Sequence, residues 1–133
     1  MHEQLATETR KLAAIMFTDI VGFSRQMGAD EARMLRLLDV HNRIIQQAVS
    51  EHHGTVIKTV GDAFLVDFPS VMHAVQCAQQ IQEQFLTHNK GTESREQIHV
   101  RIGIHLGEVV FENNIAIGSK SLGKMDRYSV SFS

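Results

Sequence analysis

A continuous apolar segment that ends in a carboxylate is the feature that most constrains how this chain can fold. Residues 11–19 have the sequence KLAAIMFTD, with an apolar side chain at every position from 12 to 17. A run of this length without polar interruption is typical of a central strand that is covered on at least one face. A short loop containing Gly22 follows, and then a helix. This order predicts a strand that carries Asp19 to one edge of a sheet.

Asp19 and the loop behind it have the chemistry of a site for a metal-held phosphate. Asp19 offers a hard oxygen ligand of the kind that Mg²⁺ prefers. Gly22 lets the backbone approach an anion closely, and the N–H groups of Val21, Gly22 and Phe23 can point at it. Taken alone, however, a plain strand end with an aspartate in a turn is the better interpretation.

Two amphipathic helices are predicted after this loop. The first covers residues 29–53, where apolar side chains recur at spacings of three, four and seven. Asp30 is suited to cap its start, and Gly54 to end it in the left-handed region. The second helix begins after Ser70, a good N-cap residue, and ends at residues 89–91.

The remaining segments favour strands. Residues 55–60 and 63–68 are rich in β-formers and are joined by a Gly-Asp turn, which indicates a hairpin. Residues 98–106 alternate between apolar and polar side chains, and residues 108–112 favour one more strand. The order βαββαβ predicts an α+β fold with a ferredoxin-like core, an antiparallel sheet with the helices on one face.

This topology brings a second carboxylate to Asp19. In such a sheet the third strand lies antiparallel beside the first, so Asp62 at its start meets the end of the first strand. Two converging carboxylates repel each other unless positive charge lies between them, and a pair of Mg²⁺ ions would supply it. Arg101 lies near the start of the fourth strand, on its polar face, and is expected at the same edge.

Composition limits the class of protein. A length of 133 residues with 43% apolar side chains predicts one domain with its own core. The net charge of −2 gives no sign of a nucleic-acid partner. The single cysteine, Cys77, fits a reducing compartment, and no apolar run has the length of a membrane span. We therefore expect a cytoplasmic domain that makes no membrane contact of its own.

Three motifs together resemble the catalytic domain of the class III adenylate/guanylate cyclases. They are FTDIVGFS at residues 17–24, KTVGDAF at residues 58–64 and VRIGIHLG at residues 100–107. Their order and spacing match the family pattern, which makes the resemblance far more specific than any one motif. The resemblance covers about residues 11–114. It leaves residues 1–10 as a lead-in or linker, and residues 115–133 as a tail outside the family pattern.

The resemblance implies conversion of a nucleoside triphosphate into its 3′,5′-cyclic monophosphate and pyrophosphate, with two Mg²⁺ or Mn²⁺ ions per site. Asp19 and Asp62 match the metal carboxylates, and the carbonyl of Ile20 matches a further ligand. Arg101 matches an arginine that binds the triphosphate. The loop residues expected to hold the phosphates are Val21, Gly22, Phe23 and Ser24.

Lys58 matches the position at which adenylate cyclases carry a lysine that reads the purine ring. A lysine side chain only donates hydrogen bonds, so it can serve N1 of adenine but not the N1–H of guanine. ATP is therefore expected as substrate in preference to GTP. The resemblance also implies a head-to-tail homodimer with sites at the interface, to which one subunit brings Asp19, Asp62 and Arg101 and the other brings Lys58.

The chain departs from the family after Asn114. Aligned on Gly118, the family's purine-reading Asp is replaced by Ile115, and its transition-state Asn and Arg are replaced by Leu122 and Asp126. None of these side chains can recognise the purine or stabilise the transition state as the family's residues do. Residues 115–133 resemble a truncated, frame-shifted or artificial end, and we expect an impaired cyclase.

Three alternatives remain open. The chain could be a nucleotide-binding or dimerisation module that has lost cyclase activity. It could be another palm-like phosphoryl-transfer domain, such as a diguanylate cyclase, although no GGDEF-type hairpin occurs. It could also be a ferredoxin-like RNA-binding module, which would need exposed aromatic side chains on its central strands. Phe17 and Phe64 lie in segments that are expected to be buried, and this weakens the last alternative.

Overall fold

The strand that ends at Asp19 lies at the centre of the sheet. A computed structural model describes residues 6–114 and 126–132, with side chains described from 12 to 108. The sheet has five antiparallel strands in the order β2-β3-β1-β4-β5. The strands are β1 (Ala6–Ile20), β2 (Thr55–Val60), β3 (Ala63–Phe68), β4 (Val100–Asn114) and β5 (Asp126–Phe132). The helices are α1 (Phe23–Ala29), α2 (Glu31–Glu51) and α3 (Val71–Asn89), with a 3₁₀ turn at Ser94–Glu96.

The α+β class and the antiparallel sheet predicted from the sequence are confirmed, but the two longest strands differ from the prediction. β1 begins at Ala6 rather than Lys11, within the segment expected to be a lead-in. β4 is one continuous strand, where two separate strands were expected. Both differences have one cause, because β1 and β4 pair with each other over their full lengths. The partner strand, rather than the local run of apolar side chains, sets where each strand ends.

The main core lies between the sheet and the two long helices. α2 and α3 are amphipathic and cover one face of β1, β3 and β4. The side chains that meet there are nearly inaccessible to solvent: Met16, Met34, Ile45, Val66, Phe68, Cys77, Ile81 and Phe85. None of the helices in the described part of the chain is both long and apolar enough to cross a membrane.

The opposite face of the sheet is more open. A small second cluster covers part of it, made by Ala13, Ile15 and Leu65 with Ile57 packed against them. Further along β1 the same face carries Phe17, which is 37% exposed. Phe64, on the helix side, is only 2% exposed. The prediction that both aromatic rings are buried is therefore right for Phe64 and wrong for Phe17, because alternation places them on opposite faces.

Both predicted N-caps are present. The Asp30 carboxylate accepts a hydrogen bond from the N–H of Arg33 at 3.1 Å, and Ser70 Oγ accepts one from the N–H of His73 at the same distance. These bonds satisfy donors that a helix start otherwise leaves without a partner.

The end of α2 differs in detail from the prediction. His53, not Gly54, takes the left-handed conformation, with a φ of 63°. The N–H of Gly54 donates to the carbonyl of Val49 at 2.9 Å, and the N–H of His53 donates to Ser50. This pair of bonds is the Schellman motif. Gly54 is required for space, because a Cβ there would lie 2.7 Å from the ring of Phe68.

We expect Gly54→Ala to destabilise the protein by about 1–3 kcal/mol, the usual cost of overpacking a core. The ring of Phe68 is fully buried in the core cluster, so it can move only by displacing its neighbours. Gly28→Ala is the matched control, since a Cβ at Gly28 meets nothing within 4 Å and the residue lies in α1. Urea unfolding followed by circular dichroism measures both variants. Equal midpoints for the two would contradict the packing argument.

A histidine lies in the middle of the core. The ring of His41 is fully buried, stacks on Phe85 and lies 5.9 Å from the ring of Phe64. Its Nδ1 lies 2.8 Å from Asn42 Oδ1, within hydrogen-bonding distance. No described residue gives Nε2 a hydrogen-bond partner. Burial lowers the pKa of His41 below 6.5, although the bond to Asn42 and the charge of Asp62 oppose that shift.

The lowered pKa of His41 predicts a pH-dependent stability. Below about pH 6.5 the unfolded chain takes up a proton at this position that the folded chain resists. The free energy of unfolding should therefore fall as the pH drops from 6.5 towards the pKa of the folded state. His41→Phe keeps a ring in the cluster and removes the titrating group. Melting temperatures at pH 7.5 and pH 5.5 should differ less for this variant than for the parent, and equal differences would show that His41 does not contribute.

Candidate active site

The end of β1 and the β2–β3 hairpin bring two carboxylates to one rim of the sheet. Gly61 takes a φ of 59°, which allows the two-residue turn between Val60 and Ala63. Asp62 lies in that turn, and its Oδ2 accepts a hydrogen bond of 2.6 Å from the N–H of Ile20. Asp62 is thus held directly against the residue that follows Asp19.

Arg101 faces Asp19 across the neighbouring strand. The two residues are cross-strand partners in the β1–β4 pairing. The guanidinium Nε donates to Asp19 Oδ1 at 2.9 Å, and Nη2 donates to Asp19 Oδ2 at 3.0 Å. This is a two-pronged contact that occupies both oxygens of the carboxylate. The side chain of Arg101 is 70% exposed and that of Asp19 is 39% exposed.

The charges at this rim act on one another. The hydrogen bond and the negative charge of Asp19 raise the pKa of the Arg101 guanidinium, and the charge of Asp62 adds to the effect. Arg101, like other arginines, is therefore cationic at neutral pH. One cation and two carboxylates share the site, so it carries a net negative charge that a metal ion would offset.

A shallow pocket lies beside these groups, on the sheet face opposite α2 and α3. Its lining residues are Phe17, Thr18, Asp19, Ala63, Arg101, Ile102 and Gly103. Phe17 and Gly103 are paired across β1 and β4, and the ring of Phe17 makes an edge contact with His105. The sequence reasoning missed Phe17 as a site residue. The signal was present, since Phe17 lies two residues before Asp19 and so shares its face.

Comparison with known proteins decides the family. The sequence model of the adenylate and guanylate cyclase catalytic domain matches residues 5–130. The chain belongs to this cyclase family. The match runs beyond residue 114, where the resemblance of the motifs was expected to stop. The domain boundaries drawn from the motifs remain predictions.

Relatives and solved structures agree with this assignment. A protein of Rhizobium meliloti (strain 1021), provisionally named adenylate cyclase 3, is 36% identical over 110 residues, which are 82% of this chain and 19% of that protein. The crystal structure of an adenylate/guanylate cyclase/hydrolase from Silicibacter pomeroyi is 33% identical, with a TM-score of 0.71 over 78% of this chain and 61% of that one. A bacterial light-regulated adenylyl cyclase shares the fold at 18% identity, with a TM-score of 0.73 over 92% of this chain and 64% of that one.

The chain spans only a part of the proteins it matches. It covers 19% or less of the length of the first curated relatives and about three fifths of the chain of the Silicibacter pomeroyi structure.

The loop expected to hold phosphate is formed differently from the prediction. The N–H of Val21 donates to the carbonyl of His99 at 2.8 Å, so it is not available to an anion. Gly22 takes a φ of 71° and is the N-cap of α1; its contact with an anion stays a prediction. Phe23 packs its ring against the main core, and Ser24 is exposed. The hydrogen bond from Val21 continues the pairing of β1 by one residue past Ile20. Val21 therefore cannot be one of the predicted anion donors.

Lys58 is not part of the pocket on its own chain. Leu65 pairs with Lys58 on one side and with Phe17 on the other. Lys58 therefore lies on the same face as Phe17 but two strands away, about 10 Å at the usual strand spacing. It is exposed near the outer edge of the sheet. The structure thus brings together Asp19, Asp62 and Arg101 but not Lys58.

The oxygen groups at the rim have the chemistry that a divalent cation requires. Asp19 and Asp62 supply only oxygen, which suits Mg²⁺ or Mn²⁺. The N–H of Ile20 points at Asp62, and its carbonyl lies on the same side of the strand. The described residues contain no group of three or more His, Cys, Asp or Glu side chains that could hold a metal ion. Mg²⁺ commonly binds through one or two carboxylates together with substrate phosphates, so two aspartates are a sufficient protein contribution.

Proposed function

We propose that this domain binds ATP with divalent cations at the rim formed by Asp19, Asp62 and Arg101, in a fold built for its conversion to 3′,5′-cyclic AMP and pyrophosphate. The observation that carries the proposal is the meeting of these three side chains, from three separate strands or turns, beside one pocket. Three charged groups from distant parts of the chain are not needed at an exposed rim to stabilise the fold.

The reaction is a displacement at the α-phosphorus. The 3′-oxygen forms a bond to that phosphorus, the bond to the bridging oxygen breaks, and pyrophosphate leaves with the electron pair. The proton of the 3′-hydroxyl passes to solvent. Bound divalent cations would lower the pKa of that hydroxyl and offset the charge of the triphosphate.

The residues of this chain would supply position and charge. Asp19, Asp62 and the carbonyl of Ile20 would hold the cations, and Arg101 would donate to the phosphate oxygens in a fork that matches their geometry. The left-handed conformation of Gly22 lets the chain turn closely beside them, while Phe23 and Ser24 form the first turn of α1. Such groups stabilise phosphoryl transfer mainly by orientation and electrostatics.

The position of Lys58 supports a site shared between two subunits. Lys58 lies on the same sheet face as the pocket, two strands away from Phe17, and does not line it. In a head-to-tail homodimer, Lys58 of one subunit would approach the pocket of the other and donate to N1 of adenine. This arrangement favours ATP over GTP. A cytoplasmic location, expected from the sequence, also remains a prediction.

A second candidate function is a nucleotide-binding or dimerisation module without turnover. Leu122 and Asp126 stand where the family's transition-state Asn and Arg are expected. Ile115 and Leu122 lie outside the described residues, while the backbone of Asp126 begins β5. The two candidate functions share the same binding site and differ only in the chemical step.

Asp19→Asn or Asp62→Asn should abolish Mg²⁺-dependent ATP binding and leave the fold intact. Asn at position 62 can still accept the hydrogen bond from Ile20, so only the charge is lost. Asp39→Asn is the matched control, because Asp39 is an exposed carboxylate paired with Arg43 on α2. Titration calorimetry with Mg-ATP measures all three variants. Parent-like affinity in either of the first two would show that the site is wrongly assigned.

Residues 1–133 should bind Mg-ATP and turn it over negligibly, even with Mn²⁺ and saturating ATP. The family's transition-state Arg, which donates positive charge, is replaced by Asp126. Loss of such a charge donor in phosphoryl transfer costs ~10³-fold or more in rate. Loss of the positioning asparagine adds a cost on the order of 10²-fold. Labelled ATP with chromatography of cyclic AMP gives the rate, and an active family member measured alongside gives the scale. Turnover within about tenfold of that relative would exclude a module without turnover and favour a catalytically active domain.

A further inference from the structure

The contact between Arg101 and Asp19 conflicts with the roles proposed for these two residues. In those roles Asp19 binds a cation and Arg101 binds phosphate. Both oxygens of Asp19 are engaged by the guanidinium, at 2.9 and 3.0 Å. A cation bound by Asp19 needs at least one of those oxygens, at about 2.1 Å for Mg²⁺. A guanidinium and a divalent cation cannot both occupy that position, and their charges repel.

We propose that Arg101 competes with the divalent cation for Asp19, and that a bound triphosphate ends the competition by drawing the guanidinium to its phosphates. The inference rests on the proposed function, since it needs a cation and a triphosphate at the same rim. Arg101 then limits the access of the cation to Asp19 when no triphosphate is bound, and is a phosphate ligand when one is.

Asp62 is held in a different way. It accepts from the backbone N–H of Ile20, which cannot swing aside, and the bond uses only Oδ2. The contact made by Arg101 is a side-chain contact at an exposed site, and such pairs are weak enough to exchange partners readily. Asp62 therefore keeps its place whether or not ligands are present, whereas Asp19 changes from an arginine partner to a metal partner.

Competition of this kind couples the two ligands. A triphosphate that takes Arg101 frees Asp19 for the cation, and a cation on Asp19 frees Arg101 for the triphosphate. Each ligand then favours the other beyond their direct contact with one another, and by linkage the effect is the same in both directions. Without a triphosphate, the cation alone should bind weakly.

The test measures Mn²⁺ binding to the full chain without nucleotide, using the electron paramagnetic resonance signal of free Mn²⁺. Arg101→Met removes the competing charge and keeps an unbranched side chain of similar length. It should bind Mn²⁺ roughly three- to tenfold more tightly than the parent, since the exposed pair and the adjacent cation are both gone. Asp19→Asn should bind more weakly than the parent.

Arg36→Met is the matched control. Arg36 makes the same kind of two-pronged contact, with Glu96, at an exposed position outside the site, and its substitution changes the net charge equally. Its Mn²⁺ affinity should equal that of the parent. A second measurement, calorimetry with α,β-methylene-ATP at saturating Mg²⁺, should show weaker binding for Arg101→Met, opposite in sign to the Mn²⁺ result.

The outcomes separate the inference from the proposed function. If Asp19→Asn weakens Mn²⁺ binding but Arg101→Met binds no more tightly than Arg36→Met, the competition is refuted and the metal site stands. If Asp19→Asn binds Mn²⁺ as the parent does, or if neither the parent nor Arg101→Met binds it, the metal site itself is wrong and the inference fails with it. If Arg101→Met binds Mn²⁺ more tightly than the parent and Arg36→Met does not, the competition is supported.

Discussion

The antiparallel pairing of β1 with β4 is the constraint on which the rest of the structure depends. It runs the full length of both strands and places Asp19 directly opposite Arg101. β3 pairs along the other edge of β1 and carries the hairpin turn to the same rim, where Asp62 meets Ile20. A shift of one residue in either pairing would move every side chain of the shifted strand to the other face. The buried apolar side chains between β1 and the helices oppose such a shift. Packing on the helix face therefore fixes which side chains lie at the candidate site on the opposite face.

Much of the fold was predictable from local patterns. Periodicity gave the two long helices, capping chemistry gave the starts marked by Asp30 and Ser70, and the Gly-Asp turn gave the hairpin. The ends of β1 and β4 were not predictable, because each depends on a partner distant in sequence. The left-handed residue at the end of α2 was assigned to Gly54 rather than His53, because the sequence does not reveal that Phe68 fills the space beside Gly54.

The candidate site was predictable as a set of residues but not as a set of contacts. Topology alone brought Asp62 to Asp19, and alternation gave the face on which Arg101 lies. Alternation cannot say which residues lie opposite each other, since that depends on the register between strands. The ion pair between Asp19 and Arg101 therefore needed the structure, as did the exposure of Phe17 beside it.

The exposure of the ion pair explains why it suits a binding site better than a structural one. A two-pronged contact buried in the core would hold Arg101 firmly, and breaking it would leave an uncompensated charge at a large cost. At a rim where both side chains contact water, the same contact contributes little to folding and can be given up to another anion. Asp62, tied to a backbone N–H, gives the site a fixed point that does not depend on that exchange. Under the proposed function, one fixed carboxylate and one exchangeable pair would let the rim remain ordered and still accept a highly charged ligand.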